Sequence, residues 1–286
     1  MKQLHARLAK PSDYASLVRL CRRAVGPDDY VLHYLRDVIN EHSLFLAFHD
    51  QDLVGMTNFE KCIDGSGWLG MARTDPTSRR QGVAISLQKT IAKRARKNRI
   101  RALRLWTLST NKPAIRACLK GGYKPVCRVV HVTQRLRKRK NLRRFSPSTR
   151  IPARLADEIL RSRYLSMMNG YMPYKWHIIK PDPSVLERAA KSRNFYNIGE
   201  TVFLLSIPDF AAWDTRKKTL HSEFTLLNGS VEDPFSTIKE TAQSIRVGYL
   251  GGYLPLNRRL LGKAQTAGLR TDSWADHCIV FEKELR

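Results

Sequence analysis

Apolar positions in the first half of the chain alternate between a helical period and short runs that suit strands. After Pro11-Ser12-Asp13, the residues Leu17, Leu20, Cys21 and Ala24 recur at helical spacing, with Ser12 placed to cap the helix and Gly26-Pro27 to end it. Val31, Leu32, Leu35, Val38 and Ile39 predict a second amphipathic helix. The runs Leu44 to Phe48 and Leu53 to Phe59 flank Asp50-Gln51-Asp52, the pattern of a hairpin. Asp64-Gly65-Ser66-Gly67 makes a turn before a strand from Trp68 to Thr74, and Asp75 to Gly82 then reads as a loop. Val83 to Lys97 is a helix with Val83, Leu87, Ile91 and Ala95 on one face, followed by a strand from Leu103 to Leu108. Pro113 to Lys120 is a short helix with proline in its first turn, where the missing N–H costs nothing. Gly121-Gly122 stops it, and Val126 to Val132 is the next strand. The predicted order is ααβββαβαβ, a mixed α/β fold.

The second half is also mixed. Ala153 to Leu165, Pro183 to Lys191, Pro234 to Ser244 and Asn257 to Ala267 read as helices; Trp176 to Ile179, Thr201 to Ile207, Phe224 to Leu227 and Cys278 to Glu282 read as strands. A chain of 286 residues suits two domains. The run Arg135 to Arg144 has seven basic residues in ten and is followed by Ser146-Pro147-Ser148. It sets the expected division: a first domain over 1–137, a basic linker over 138–150 and a second domain over 151–286.

Composition narrows the class. Apolar residues make up 42% of the chain, enough for a core in each half. No stretch reaches the ~18 apolar residues of a membrane span, and Met1 to Lys10 lacks a signal-peptide core, so a cytoplasmic protein without a membrane partner is expected. The five cysteines, Cys21, Cys62, Cys118, Cys127 and Cys278, form no C-x-x-C pair, which argues against a disulfide framework and against a metal. The net charge of +26 is uneven: residues 1–144 hold 31 Lys and Arg against 10 Asp and Glu, and the remainder 20 against 15. Such a field attracts phosphates, RNA, a ribosomal surface or an acidic protein; a merely basic surface is the other reading.

The segment richest in chemistry is Thr74-Asp-Pro-Thr-Ser-Arg79-Arg80-Gln81-Gly82-Val83-Ala84. A strand ends, a basic loop follows, and a long helix begins. The first N–H groups of a helix lack intrahelical partners and carry partial positive charge, so they suit an anion. Arg79 and Arg80 add formal charge, Gly82 allows close backbone approach, and Ala84 keeps the helix start small. A pyrophosphate fits that description.

Arg79-x-x-Gly82-x-Ala84 resembles the pyrophosphate signature R/Q-x-x-G-x-G/A of the GNAT superfamily of acyl-CoA N-acyltransferases. Downstream, Asn111-Lys-Pro-Ala114-Ile-Arg-Ala-Cys118-Leu-Lys-Gly-Gly122-Tyr123 is similar to the family phrase N-x-x-A-x-x-x-Y-x-x-x-G-F. The resemblance covers about residues 3 to 135 and implies the GNAT fold, a mixed α/β (α+β) sheet. It implies that backbone groups at Ala72, Arg73 and Thr74 bind the pantetheine arm and thioester of acetyl-CoA. Arg79, Arg80, Gln81, Gly82, Val83 and Ala84 would wrap its pyrophosphate, and Asn111 and Ala114 would flank the coenzyme. The chain departs from the family twice. Cys118 stands where the usual tyrosine acid does, and the strand Trp68 to Thr74 carries no acid, which leaves Glu60 as the candidate base, acting through a water. Tyr249 to Glu284, with its Pro255-Leu-Asn-Arg-Arg helix and Gly268-Leu269, resembles the end of a second GNAT unit that lacks the R-x-x-G-x-A loop. The expectation is a tandem acetyl-CoA-dependent N-acetyltransferase acting on an amine; the alternative is a non-catalytic CoA-binding or RNA-binding module.

Overall fold

The structure is a computed structural model that describes residues 4–137, 142–192, 194–206, 209–210, 220–229, 233–271 and 276–285. Lys138, Arg139, Lys140 and Asn141 of the basic run lie outside the described residues. The chain forms two compact units. The first takes in Met1–Trp106, Asn111–Lys124 and Phe281–Arg286; the second takes in Thr107–Thr110 and Pro125–Val280.

The first unit opens with β1 (Leu4–Leu8), α1 (Tyr14–Ala24), a 3-10 turn at Tyr30–His33 and α2 (Leu35–Asn40). Then come β2 (Leu44–His49), β3 (Asp52–Lys61), β4 (Gly67–Thr74), α3 (Val83–Lys97), β5 (Ala102–Leu108) up to Trp106, and α4 (Lys112–Lys120). Strand β1 was not foreseen, and it pairs antiparallel with β2 from Leu4↔His49 to Leu8↔Phe45. The entry to α1 also differs. Asp13, not Ser12, holds it, accepting from the Lys10 N–H at 2.7 Å and from both Arg7 terminal nitrogens. The predicted second helix is split into the 3-10 turn and α2. One sheet face packs on α1 and α2 through Leu17, Leu20, Val31, Leu35, Leu44, Leu46 and Met56. The other takes α3: a Cβ at Gly55 would stand 2.4 Å from Val83 Cγ1, so only glycine lets the helix lie this close to β3.

The second unit contains β6 (Lys124–Arg135) beyond its first residue, followed by α5 (Ala153–Leu160), α6 (Arg163–Met167), the hairpin β7 (Met172–Tyr174) and β8 (His177–Ile179), and α7 (Pro183–Ser192). It continues through β9 (Asn194–Ile198), β10 (Thr201–Leu205), β11 (Asp209–Phe210), β12 (Leu220–Asn228), α8 (Pro234–Ser244), β13 (Tyr249–Pro255), α9 (Arg258–Thr266) and β14 (Arg270–Thr271). Strands run in the order β6-β13-β12-β10-β9. Only β12 and β13 among these neighbours are parallel, and α8 is their crossover. One face of this sheet is apolar, with Val130, Val132, Phe224, Leu226, Leu250 and Leu254 packed against Phe235, Ile238, Leu260 and Ala264 of α8 and α9.

The last strand, β15 (Cys278–Glu284), was expected to close the second domain. Its residues from Phe281 on belong instead to the first unit, where β15 neighbours β5. Leu285 N–H donates to Arg101 O at 2.7 Å, Lys283 Nζ to Gly121 O at 2.6 Å, and Arg104 Nε to Glu282 Oε2 at 2.5 Å. Buried Arg104 also donates to Asp64 and to Ser66 Oγ, so the tail is tied into the ion-pair network below the Asp64 turn. Conversely β6, the strand that follows the first unit in sequence, pairs with β13 from Val129↔Pro255 to Arg135↔Tyr249. The compact units therefore divide the chain differently from the boundary expected at 138–150.

Candidate active site

Strands β4 and β5 run parallel, but their pairing is confined to Gly67↔Leu103 and Trp68↔Arg104. From Gly70 to Thr74, β4 is held by β3, and that pairing shifts register between Met56 and Asn58. The extra residue sits on β4, where Met71 has φ +51°, a left-handed conformation rare for a side chain of this size. The bulge turns the end of β4, and Ala72, Arg73 and Thr74 lie between it and the loop. The Arg73 side chain has a separate duty. It forms a two-pronged ion pair with Asp29, at 2.7 and 2.6 Å, and lies over the Tyr30 ring. Burial alone would lower the Arg73 pKa, but the Asp29 carboxylate outweighs it and holds the guanidinium above its ordinary value. Asp29 in turn accepts from Val31 N–H, so this pair docks the segment between α1 and α2 onto the end of β4.

The loop beyond Thr74 is built on Asp75. Its Oδ1 accepts from Thr77 N–H at 3.0 Å and Thr77 Oγ1 at 2.7 Å, and its Oδ2 from Arg23 Nε at 2.8 Å. Burial pushes the Asp75 pKa up, but the Thr77 and Arg23 donors win and hold the carboxyl below its usual value. The only acid of the loop is thereby neutralised in place. Arg79 and Arg80 are exposed, Arg80 with φ +66°. Gln81 Nε2 donates to Thr77 O. Gly82 has φ +82° and stands at the N-cap of α3 with no side chain to occupy the first N–H groups. A Cβ at Gly82 would meet nothing within 4 Å, so the space over the helix start is open. Val83 is buried against Gly55, and Ala84 follows it half-buried. An uncapped helix start, open space and two arginines suit a phosphate group.

Asn111 spends its Oδ1 as the N-cap of α4, accepting from Ala114 N–H at 3.2 Å. Cys118, on the inner face of that helix, is 3% exposed, and burial pushes its thiol up to about 12. Glu60 lies directly across from Trp68, at the paired end of β4, and accepts from Asn58 Nδ2 at 2.6 Å. Glu60 is five β3 residues from Gly55, the partner of Thr74, so at ~3.3 Å per strand residue its backbone stands roughly 17 Å along the strand from Thr74. Asn58 was not singled out in the sequence, because it sits inside an apolar run. It is 1% exposed, its register partner is Gly70 beside the bulge, and its Oδ1 has no hydrogen-bond partner. A buried carbonyl oxygen of that kind is costly unless a ligand completes it.

The second unit repeats the local geometry without the loop. α9 starts at Asn257, whose Oδ1 accepts from Leu260 N–H at 3.0 Å, as Asn111 does for α4. Gly268 after α9 has φ +88°, and Gly122 after α4 has φ +82°. The crossover helix differs. Asp233 caps α8, accepting from Ser236 N–H at 3.0 Å, and Pro234 fills the first turn. A carboxylate already occupies that helix start, which disfavours a phosphate there. Among the described residues, no group of His, Cys, Asp or Glu could hold a metal ion, and no helix is long and apolar enough to cross a membrane.

Residues 13–123 match the model of the acetyltransferase (GNAT) family. Solved structures resemble the chain over nearly its whole length. A provisionally assigned acetyltransferase from Thermoplasma acidophilum is 19% identical with a TM-score of 0.56, covering 96% of this chain and 89% of its own. A GCN5-related N-acetyltransferase from Sphaerobacter thermophilus is 14% identical with a TM-score of 0.56, covering 99% and 96%. At these identities the likeness establishes the fold, and it extends through both units. A search of curated protein sequences finds no match.

Proposed function

We propose that the first unit transfers an acetyl group from acetyl-CoA to an amine acceptor by direct attack within a ternary complex. The observation that carries this reading is the open, uncapped start of α3 behind Arg79 and Arg80, reached from the bulged end of β4. Acetyl-CoA supplies a thioester whose carbonyl is open to a neutral amine. The backbone of Arg79 to Ala84 and the side chains of Arg79, Arg80 and Gln81 hold the pyrophosphate. Backbone groups at Ala72, Arg73 and Thr74 orient the pantetheine arm, with Asn111 and Ala114 on its other side. Holding the carbonyl and the amine together supplies most of the rate. Asn58 Oδ1 accepts an N–H of the incoming amine, Glu60 draws off its proton through water, and water or the acceptor itself protonates the CoA thiolate that leaves as the C–S bond breaks. Cys118 is packing, not an acid.

The acceptor is proposed to belong to an acidic macromolecule, RNA, a ribosomal surface or an acidic protein, because the charge of residues 1–144 exceeds what a coenzyme needs. The second unit is read as a GNAT-like unit whose helix start has lost the coenzyme. Release of free thiol from acetyl-CoA, measured across a panel of amines, peptides and RNAs, tests the reading. Gly82→Asp puts a carboxylate where phosphates sit and should weaken acetyl-CoA binding by more than about tenfold. Unchanged affinity in that variant would remove the site. Binding without turnover against every acceptor would favour a non-catalytic CoA-binding module, which the buried Cys118 at the position of the family's acid would then explain.

A further inference from the structure

From residue 76 to residue 156 the chain holds 24 Lys and Arg and not one Asp or Glu. Two helices of that interval, α3 and α4, meet in the first unit. A Cβ at Gly121, the C-cap of α4, would stand 2.3 Å from Gln88 Oε1 of α3. Lys89 follows Gln88 and Lys120 precedes Gly121, so the two helices bring cations to one seam. On α3, Lys89, Lys93 and Lys97 stand four residues apart, a row that rises ~6 Å per step. From Lys89 to the end of α3, every exposed side chain is Lys or Arg. Arg99 is exposed just beyond the helix, and Arg116 and Lys120 are exposed on α4. None of Lys89, Lys93, Lys97, Arg99, Arg116 and Lys120 is ion-paired with a described residue.

Like charges at i and i+4 destabilise a helix, so this row carries a cost that a polyanion removes. The helix dipole favours cations only in the last turn, and Lys89 and Lys93 lie before it. The coenzyme does not account for the row either: Lys89 and Lys97 stand ~9 and ~21 Å along the axis from Val83, where the Arg79 loop ends. An acidic protein needs apolar or aromatic anchors at the core of its contact, and on these two helices Leu119 alone is large, apolar and exposed. A single strand stacks its bases on exposed aromatics, and an anionic membrane takes Trp, Phe or Leu beside the cations. Among the described residues the exposed large aromatics are Tyr30 and Trp176, on neither helix. What suits the surface is a regular array of phosphates. The wide major groove of B-DNA receives helices whose side chains read bases, whereas this row offers phosphate ligands only. A-form RNA has a deep, narrow major groove between its two backbones, and two adjoining helices offer cations to each. We propose that the outer side of α3 and α4 binds the phosphate backbone of duplex RNA without reading its sequence, through Lys89, Lys93, Lys97, Arg99, Arg116 and Lys120. This narrows the acidic macromolecule proposed above to one class and rests on that reading for the acceptor, while the binding itself stands without acetyl-CoA.

The probe is a fluorescently labelled RNA duplex of about 16 base pairs, in two unrelated sequences, bound to the full chain and followed by anisotropy. Both sequences should bind alike, and affinity should fall ~10³-fold between about 50 and 200 mM salt when six phosphates are contacted. Lys89→Gln, Lys93→Gln and Lys97→Gln together keep helix propensity. They should weaken binding by about tenfold or more and lower the salt slope by about 2–3. Arg19→Gln, Arg22→Gln and Arg36→Gln together remove the same charge from exposed positions on α1 and α2, at the other sheet face, and should leave the slope as it is. Saturating acetyl-CoA should not displace the duplex. Retained RNA binding without thiol release from any acceptor would strike the acetyl-transfer reading and leave this surface standing. Equal weakening in the two triple variants, displacement by acetyl-CoA, equal affinity for duplex DNA or single-stranded RNA, or tighter binding to polyglutamate or anionic vesicles would overturn the proposal.

Discussion

At the scale of single residues, burial decides which polar groups can do chemistry. A thiol pushed up to about 12 gives its proton too reluctantly to assist a leaving thiolate near neutral pH. Cys118→Ala should therefore keep most of the turnover in the thiol-release assay; a loss of about a hundredfold would make it an acid after all. Asp75 shows the opposite case, a carboxyl held below its ordinary value. It binds its proton less readily in the folded chain than in the unfolded one. Its stabilising contribution is therefore present above about pH 4 and lost as acid protonates it. Arg23 is half exposed, so the effect is small, under about 1 kcal/mol. Asp75→Asn keeps an acceptor for Thr77 but loses the charge facing Arg23. Its urea midpoint should fall below that of the wild type at pH 7 and meet it below about pH 3. A gap that persists into acid would show that charge is not the cause.

At the scale of elements, the Arg104 network carries the largest expected energy. Arg104 and Asp64 have side chains only 5% and 4% exposed. Arg104→Ala would leave the Asp64 and Glu282 carboxylates without their cation and should cost about 3–5 kcal/mol in urea unfolding. A loss below about 1 kcal/mol would mean that water replaces the guanidinium. Elements with unbroken periodicity were legible in the sequence. The run Val83 to Lys97 was read with its final bounds, because its apolar spacing is regular and Gly82 marks its start. Strand β1 was not, since its alternate residues, His5 and Arg7, are polar by type yet lie against Phe48. The loop from Asp75 to Gly82 was legible as a basic loop before a helix because it is contiguous in sequence. Asn58 stayed hidden because strand pairing, not its neighbours in sequence, sets it beside Gly70.

For the whole molecule, charge and connectivity matter most. If the basic excess serves an acidic partner, RNA binding should weaken ~10³-fold or more between low and moderate salt when six or more phosphates are contacted. Filter binding across salt, comparing the wild type with a variant neutralised at Arg135, Arg137, Arg143 and Arg144, tests this. Equal affinity and equal slope in the two proteins would leave the run as a linker only. Connectivity has a consequence in time. The strand that neighbours β5 in the first unit is separated from the rest of that unit by the 156 residues numbered 125–280. At roughly 5–20 residues per second, a ribosome needs about 8–30 s to cross that interval. Throughout it, the nascent GNAT segment has an unpaired β5 edge and an Arg104 facing Asp64 without Glu282. The first unit is therefore completed only after the whole of the second has been synthesised. A product released early keeps every residue of the Arg79 loop and still exposes a raw strand edge, which is a hazard for aggregation.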